Sequence, residues 1–341
     1  MVREKSPIAS HPMSSPANSN PRPLWQRLLI RRLKFIGIVV TLLVVLLGGS
    51  YLFAPQWLLK ANAMREAMNA GLEKHSVQAG DTQWVYYEGG QGPTIVLLHG
   101  FAANKDVWLK VAPMLTAHFR VVIPDLPGWG ESSRNPGASY NIDNQAERLN
   151  DFVQTLHLQH SLLVGHSMGG AIAGVYAAAH PQDVAELALV DSFGLKFKEN
   201  AFAKEAMAGH DPFVYDDRAG FERATALAFE QVPHIPGRFI DVFVQNNIKN
   251  RAFIEKTFNE LREPAQTTSL QDRLDKLTMP TLGMWCHDDK IIDVSALDNL
   301  RNGLTHAPAI STSIINGCNH MPQMEKPKEF AQILTSFVLA H

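Results

Sequence analysis

Cysteine is scarce in this chain, which contains two, Cys286 and Cys318, among its 341 residues. Two cysteines cannot build the set of cross-links that holds a small disulfide-rich fold together. Internal repeats with a period of about 20–50 residues are also lacking, which argues against a solenoid or propeller array. The length therefore favours one large domain that carries an insertion, or two domains.

A net positive charge is lacking from most of the chain. Residues 1–34 hold seven Lys and Arg against one Glu, and removing these from the totals of 31 basic and 33 acidic residues leaves 24 and 32. The remainder is therefore clearly acidic, which argues against a nucleic acid as a partner. Because residues 6–23 are rich in Ser, Pro and Asn, we expect residues 1–34 to form a disordered basic tail.

Charged side chains are absent from Phe35 to Phe53, a run of 19 residues rich in Ile, Val and Leu. As a helix this run is about 28 Å long, close to the thickness of a hydrocarbon core. A cleavable signal peptide and a buried core helix are the alternatives. The exit through residues 51–55 lacks a small-residue cleavage site, and a core helix is rarely so uniformly apolar. We predict an uncleaved transmembrane helix at residues 35–53.

The basic flank before this span predicts its orientation. The N-terminus is expected in the cytoplasm and the remaining chain across the membrane, which in a bacterium is the periplasmic face of the inner membrane. Residues 54–77 follow as a predicted stalk helix. Its apolar side chains recur at helical spacing and lie either on the bilayer or against the next domain: Trp57, Leu58, Ala61, Met64, Met68 and Leu72.

One stretch combines a strand, a sharp turn and a helix around a serine. The apolar run 162–164 is typical of a buried strand, and residues 171–179 are small residues that favour a helix. Between them lies Gly165-His166-Ser167-Met168-Gly169, which matches the nucleophile-elbow pattern G-x-S-x-G. The alternative is a chance match in a glycine-rich loop. The strand before it and the helix after it favour an exposed, nucleophilic Ser167.

Apolar strands alternate with helices around this motif, which is typical of a parallel sheet covered on both faces. The expected strands are 82–88, 94–98, 120–123, 162–164, 187–191, 281–285 and 313–315, and the expected helices include 106–118, 141–156, 295–303 and 326–339. Between 194 and 277 the strands stop, and nine of the 17 phenylalanines occur there. We predict an α/β core at residues 78–193 and 278–341 and a helical cap at residues 194–277.

Several motifs together resemble the α/β-hydrolase superfamily, and within it the membrane-anchored monoacylglycerol lipases and related bacterial lipases. They are His99-Gly100-Phe101, Asp125-x-x-Gly128-x-Gly130-x-Ser132, Gly165-x-Ser167-x-Gly169-Gly170, Trp285-Cys286-x-x-Asp289 and Asn319-His320. The resemblance covers about residues 78–340. It implies an α/β-hydrolase fold, with a mostly parallel, doubly wound sheet and a helical cap insertion, here preceded by the transmembrane helix.

A serine hydroxyl is a poor nucleophile and needs a base to take its proton. Hydrolases of this fold carry the serine, the acid and the histidine in that chain order. His320 follows the last expected strand in a tight loop and is the candidate base. Asp289 is the candidate acid, and Asp288 is its close competitor. The catalytic triad implied is Ser167, Asp289 and His320.

An oxyanion hole in this superfamily uses two backbone N–H groups. The candidates are Met168, which follows the serine, and Phe101, which follows His99-Gly100. His99 and His166 are expected to brace the loops rather than to transfer protons. The phenylalanines of the cap line an acyl-chain pocket, form the core of the cap, or do both.

The leading functional hypothesis is a serine carboxylic-ester hydrolase, a lipase or esterase similar to monoacylglycerol lipases. It acts on a small-molecule acyl ester or lipid, and it requires no cofactor and no metal. One alternative is a C–C bond hydrolase of the meta-cleavage type, whose soluble substrates fit poorly with a membrane anchor. Another is a non-catalytic receptor on the hydrolase fold, which the presence of all three triad candidates disfavours.

The two cysteines flank the candidate acid and base on strands that are expected to be neighbours. A disulfide between Cys286 and Cys318 is one hypothesis, which requires an oxidising compartment. Two buried free thiols are the alternative, and the sequence does not decide between them.

Overall fold

The structure is a computed structural model that describes residues 23–341. The beginning of the predicted basic tail, residues 1–22, lies outside the described residues. The chain divides into two compact units, the first ending at Ala54 and the second comprising Pro55–His341.

The described part of the first unit is one helix, α1 (Leu24–Phe53), which has no buried residue. Its length and its mean hydropathy of 2.4 over the most apolar window make it a candidate membrane span. The helix begins at Leu24, whereas the sequence placed residues up to 34 in a disordered tail. The reason is that Leu, Arg, Gln and Lys, which dominate residues 24–34, are all strong helix formers.

The second unit contains a sheet and its surrounding helices. In chain order the elements are α2 (Pro55–Asn69), β1 (Leu72–Ala79), β2 (Thr82–Gly89), β3 (Thr94–Leu98), α3 (Ala112–Leu115), β4 (Arg120–Pro124), α4 (Ile142–Thr155), β5 (Ser161–His166), α5 (Met168–Ala179), β6 (Val184–Val190), α6 (Ala201–Met207), α7 (Arg218–Ala228), α8 (Gly237–Leu261), α9 (Pro264–Thr267), β7 (Thr281–Cys286), α10 (Ala296–Gly303), β8 (Ile310–Ile315), α11 (Pro322–Glu325) and α12 (Pro327–Leu339). Short 3₁₀ turns occur at Lys105–Trp108, Pro181–Asp183 and Gln271–Lys276.

The strands form one sheet in the order β1-β2-β4-β3-β5-β6-β7-β8. The pairs β1–β2 and β2–β4 are antiparallel, and the five remaining pairs are parallel. The predicted mostly parallel sheet is therefore confirmed. In the parallel part, β5 lies between β3 and β6, so the carboxyl ends of these strands meet at one edge, where open α/β sheets bind ligands.

Both faces of the central strands are buried. Successive residues of β3 alternate between two hydrophobic clusters: Val96 and Leu98 join one, and Ile95 and Leu97 join the other. On the first face Trp84 stacks on Phe152 of α4, with ring centroids 4.5 Å apart. On the second face lie Trp108 and residues of α3 and α12. Two covered faces explain why these strands are apolar without alternation.

The predicted stalk helix 54–77 is too long. The helix α2 ends at Asn69, and residues 72–79 form strand β1, antiparallel to β2. Gly71, with φ of +66°, ends the helix in the left-handed conformation that glycine adopts without strain. Leu72 follows the apolar spacing of the helix, but it belongs to the strand.

The predicted helix 106–118 is also wrong. A 3₁₀ turn at Lys105–Trp108 and the one-turn helix α3 replace it. Pro113 lies in the first turn of α3, and its ring and missing N–H prevent a helix from running through this position. The other helices and strands expected from the sequence agree with the structure within a few residues.

Residues 194–277 lie between β6 and β7 and contain α6, α7, α8, α9 and a 3₁₀ turn, with no strand among these described residues. Aromatic rings join two of its helices, since Phe221 of α7 stacks on Phe243 of α8 at 5.5 Å. The helical segment agrees with the expectation for this stretch. Its division from the sheet as a separate cap stays a prediction.

Candidate active site

Ser167 occupies the sharp turn between β5 and α5. Its backbone has φ of +54° and ψ of −120°, an unusual conformation for a residue with a side chain. A Cβ atom at Gly165 would clash with the carbonyl oxygen of Gly169, and one at Gly169 would lie about 2.5 Å from that of His99. The two glycines of the motif are therefore required by close backbone approach.

Ser167, His320 and Asp289 form a continuous hydrogen-bonded chain. The Oγ atom of Ser167 lies 2.9 Å from Nε2 of His320. The Nδ1 atom of His320 lies 2.8 Å from Oδ2 of Asp289. If Nδ1 donates to the carboxylate, Nε2 is left free to accept the serine proton. Burial lowers the pKa of His320, which favours the neutral imidazole that a general base requires.

Asp289, and not Asp288, lies at the end of this chain. The Asp289 side chain is fully buried, and its Oδ1 accepts hydrogen bonds from the N–H groups of Ile291 and Ile292 at 2.8 and 3.0 Å. The Asp288 carboxyl is 48% exposed and lies 2.7 Å from the ring of His287 instead. Of the two competing acids, the structure therefore places Asp289 beside His320.

The loop of His320 is linked to its surroundings by contacts that the sequence did not reveal. The backbone N–H of His320 donates to the carbonyl oxygen of Ala228, at the end of α7. The amide of Asn319 donates to the carbonyl oxygen of Leu227, and its Oδ1 accepts from the N–H of Lys290 at 2.8 Å. These backbone partners leave no pattern in the sequence, so the link between this loop and α7 was missed.

The predicted oxyanion residues flank Ser167 on two sides. Met168 is the first residue of α5, where backbone N–H groups have no partner within the helix. Phe101 lies in the loop after β3, and both residues line the same cavity as Ser167 and His320. A Cβ atom on Gly100 would lie 3.1 Å from Cβ of Ser167, so this loop passes very close to the serine.

A buried ion cluster supports the loop that carries Phe101. The Lys105 ammonium lies 2.6 Å from the Asp125 carboxylate and 2.8 Å from that of Glu131. Next to it, the N–H of Leu126 donates to Nε2 of His99 at 3.0 Å. His99 thus braces two loops, as expected. The contribution of Lys105 was not anticipated.

An apolar cavity of about 370 Å³ opens above the serine. Its walls come largely from the segment 194–277 and include small and aliphatic side chains such as Leu261. Six phenylalanines line it, four of them in this segment: Phe197, Phe202, Phe213 and Phe258, with Phe101 and Phe193 outside it. Lys196, Glu199 and Arg262 are its charged lining residues. A pocket of this size and polarity suits a hydrocarbon chain.

Cys286 and Cys318 form a disulfide, with their Cα atoms 5.4 Å apart. Cys286 ends β7, shortly before Asp289, and Cys318 precedes His320 by two residues. The cross-link therefore joins the two loops that carry the candidate acid and base. Of the two alternatives left open by the sequence, the structure contains the bonded one.

Comparison with known proteins identifies the family to which this chain belongs. The family described as the alpha/beta hydrolase fold matches residues 93–327. The monoacylglycerol lipase ABHD6 of Homo sapiens is 30% identical over 303 residues, which are 85% of this chain and 89% of that protein. Lipase 3 of a Moraxella species is 30% identical over 80% of this chain and 86% of its own length.

Among solved structures, the crystal structure of a membrane phospholipase A, a bacterial virulence factor, superposes with a TM-score of 0.80. It is 34% identical and covers 90% of this chain and 98% of its own. The chain is a carboxylic ester hydrolase, the class to which monoacylglycerol lipases and lipases belong. Together with the sheet and the sharp turn at Ser167, these matches show that the chain belongs to the α/β-hydrolase fold family.

Proposed function

We propose that this chain is a serine lipase or esterase that hydrolyses lipidic or medium-chain acyl esters through an acyl-enzyme on Ser167. The observation that carries the proposal is the hydrogen-bonded chain of Ser167, His320 and Asp289 at the base of an apolar cavity. Nucleophile, base and acid are within direct contact, and the cavity offers the space for an acyl chain.

Acylation is the first half of the proposed reaction. Ser167 Oγ attacks the ester carbonyl carbon while His320 Nε2 takes the hydroxyl proton. The N–H groups of Phe101 and Met168 stabilise the negative charge that forms on the carbonyl oxygen. Losing one such donor typically costs about 3 kcal/mol of transition-state stabilisation. The C–O bond to the alcohol then breaks, and His320 gives its proton to the departing oxygen.

Deacylation is the second half. Water attacks the acyl carbonyl, and His320 accepts one of its protons. The bond to Ser167 Oγ breaks, the serine recovers its proton from His320, and the carboxylic acid is released. Throughout, Asp289 holds the imidazole in the correct tautomer and stabilises its charged form. Every proton in this cycle passes through His320, so the protein supplies all the groups that the reaction needs.

The apolar walls favour an acyl chain as the part of the substrate that enters the cavity. The names of the relatives point the same way, because a monoacylglycerol lipase and a membrane phospholipase A both cleave acyl esters of glycerol lipids. We therefore place lipid esters ahead of short water-soluble esters as the substrate class.

Membrane anchoring accompanies this proposal. The apolar helix α1 contains the expected span 35–53, and we propose that the basic tail before it stays in the cytoplasm. The catalytic unit then lies across the membrane, at the periplasmic face in a bacterium. The disulfide supports this side, since disulfides persist in oxidising compartments. We retain the core at 78–193 and 278–341 and the cap at 194–277 as the domain arrangement.

The decisive variant is Ser167→Ala, measured in the full chain with esters of increasing acyl length and with a fluorophosphonate probe. We expect kcat to fall by at least about 10⁴-fold and the covalent label to be lost. Ser161→Ala is the matched control, because Ser161 is buried at the opposite end of the same strand. If Ser167→Ala hydrolyses esters at the wild-type rate, the proposal is refuted. If the wild-type protein turns over a dienone substrate but no ester, C–C bond hydrolysis is favoured instead.

A further inference from the structure

A second fully buried aspartate, Asp191, lies beside the triad and has no role in the mechanism above. It directly follows β6 and has φ of +43°, in the left-handed region that few residues other than glycine adopt. Its N–H donates to the carbonyl oxygen of Met284, and its Oδ1 accepts from the N–H of Cys286 at 2.8 Å. These contacts fix the carboxyl group against the end of β7.

The Asp191 carboxyl group lies close to the catalytic groups. An Asp191 oxygen and one ring nitrogen each of His166 and His320 lie within 4.8 Å of one another. The Asp191 carboxyl is also within hydrogen-bonding reach of the Asp289 carboxyl. No N–H or O–H group of the described residues donates to Asp191 Oδ2, although this atom is buried. A proton on Oδ2 would turn this unpartnered acceptor into a donor to Asp289.

Two adjacent carboxyl groups in a dry site do not both ionise, because like charges at close range repel each other strongly. Asp289 is the better anion, since it has three N–H partners: those of Ile291 and Ile292 and the ring of His320. Among the described residues, the Asp191 carboxyl has one N–H partner, that of Cys286. The proton that the pair retains therefore belongs on Asp191.

The remaining groups that face Asp191 agree with this. Glu325 of α11 adds a second negative charge to its surroundings, and burial lowers the pKa of His166, which keeps that ring neutral. Burial raises the pKa of the Asp191 carboxyl, and the charge of Asp289 raises it further.

We propose that Asp191 is a positioning residue of the triad, a neutral carboxylic acid that donates a hydrogen bond from Oδ2 to Asp289 and holds that carboxylate against His320. This inference rests on the proposed role of Asp289 and His320. In the resting enzyme the hydrogen bond from Asp191 fixes the orientation of the Asp289 carboxylate. It also reduces the negative charge density on Asp289, and with it the basicity of His320.

Asparagine separates a neutral Asp191 from a charged one. In Asp191→Asn the amide donates to Asp289 and its oxygen still accepts from Cys286, so we expect kcat within about threefold of wild type. The acid limb of the plot of kcat/KM against pH should lie at the same pH as in wild type. If Asp191 were ionised, removing its charge would lower the pKa of His320 and move this limb to lower pH, and that result would overturn the proposal.

Leucine removes the donor while retaining a side chain that branches at Cγ. In Asp191→Leu we expect kcat to fall tenfold or more with KM little changed, and the acid limb to move to higher pH as Asp289 becomes a stronger anion. The control is Asp183→Leu, because Asp183 is buried at the opposite end of β6. A lower Tm in both variants, with kcat and pH profile unchanged in Asp191→Leu, would assign Asp191 a structural role only.

Difference infrared spectroscopy gives a test that does not need the leucine variant to fold. Wild type minus Asp191→Asn at neutral pH should show the carbonyl band of a protonated carboxylic acid, and a carboxylate band in its place would refute the proposal. The triad itself is tested separately by Ser167→Ala. If Ser167→Ala abolishes hydrolysis while Asp191→Leu matches wild type, the role of Asp191 fails and the proposed function stands.

Discussion

The Nε2 atom of His166 lies 2.6 Å from the main-chain carbonyl oxygen of His320, to which it donates a hydrogen bond. His166 directly precedes Ser167, so this bond connects the strand of the nucleophile with the loop of the candidate base. Burial lowers the pKa of His166, which leaves the ring one N–H group to donate. This bond is one of the contacts that hold the loop of His320 beside Ser167, whose Oγ lies 2.9 Å from His320 Nε2.

Replacing His166 by alanine should loosen this connection. We expect kcat to fall by about 10–100-fold, because small misplacements of reacting groups cost rates of this order, while KM changes little. Steady-state kinetics and the rate of fluorophosphonate labelling measure the effect. His118→Ala, an exposed histidine on the same unit, serves as control. Unchanged kcat in His166→Ala would show that the loop of His320 is held by its other contacts alone.

Lys105→Met tests the buried ion cluster beneath the Phe101 loop. The substitution leaves the fully buried Asp125 carboxylate without its cation, which typically costs about 3–5 kcal/mol of folding free energy. Denaturant unfolding of the second unit measures it, with Lys74→Met as control. The Lys74–Glu131 pair is about half exposed and should contribute at most about 1 kcal/mol. If the double variant Lys105→Met/Asp125→Asn recovers the lost stability, the unpaired Asp125 carboxylate is confirmed as the cause. If Lys105→Met and Lys74→Met lower the stability equally, this explanation is contradicted.

The sequence allowed most of the sheet and the candidate site to be predicted, and the reason is topological. Ser167, Asp289 and His320 each follow a strand, and the carboxyl ends of parallel strands meet at one edge of the sheet. Chain order and strand ends, together with the motifs shared with the α/β-hydrolase superfamily, therefore selected three residues that the structure places in contact. Their catalytic roles stay a prediction until they are tested.

What could not be predicted depends on contacts without a sequence pattern. Leu72 fits both the apolar spacing of a helix and the start of a strand, and pairing with β2 decides in favour of the strand. Asp191 also follows a strand, but it belongs to no motif, and its proximity to Asp289 becomes visible only once β6 and β7 are paired. The bond from His320 to Ala228 joins two backbones and is independent of side chains.

Removing the disulfide should lower the stability of the second unit. The two cysteines are 32 residues apart, so the chain-entropy estimate for closing this loop is about 3–4 kcal/mol. We expect a lower Tm for Cys286→Ala/Cys318→Ala and a similar decrease for wild type in a reducing agent. The double variant is the control for the reagent, since its Tm should not respond to it. Two titratable thiols in unfolded wild type without reductant would contradict the bond.

Asp211, in the loop after α6, provides a prediction about pH. Burial raises the pKa of its carboxyl to about 7, and its Oδ2 has no hydrogen-bond partner among the described residues. In the unfolded chain the Asp211 carboxyl ionises near pH 4. Between about pH 4 and pH 7 the unfolded state therefore loses this proton while the folded state keeps it, so the free energy of unfolding falls progressively over this range.

Asp211→Asn should therefore be more stable than wild type above about pH 7, and equal to it near pH 4. Thermal unfolding across this range measures the difference, which cannot exceed about 4 kcal/mol because one pKa unit corresponds to about 1.4 kcal/mol. Asp216→Asn, at an exposed residue of the same loop, is the control for the substitution itself. A stability gain that is the same at every pH would exclude titration of Asp211 as its origin.

Filling the cavity tests whether it holds the acyl chain. Ala206 of α6 lines the cavity, and a phenylalanine there would occupy space that only a long chain needs. For Ala206→Phe we expect kcat/KM to fall at least tenfold for long-chain p-nitrophenyl esters and to stay close to wild type for short ones. Ala201→Phe is the matched control, because Ala201 is exposed on the same helix and does not line the cavity. Equal losses at every chain length would mean that α6 affects the triad and not the acyl group. The shape of the chain-length profile, rather than its height, therefore reports on the cavity.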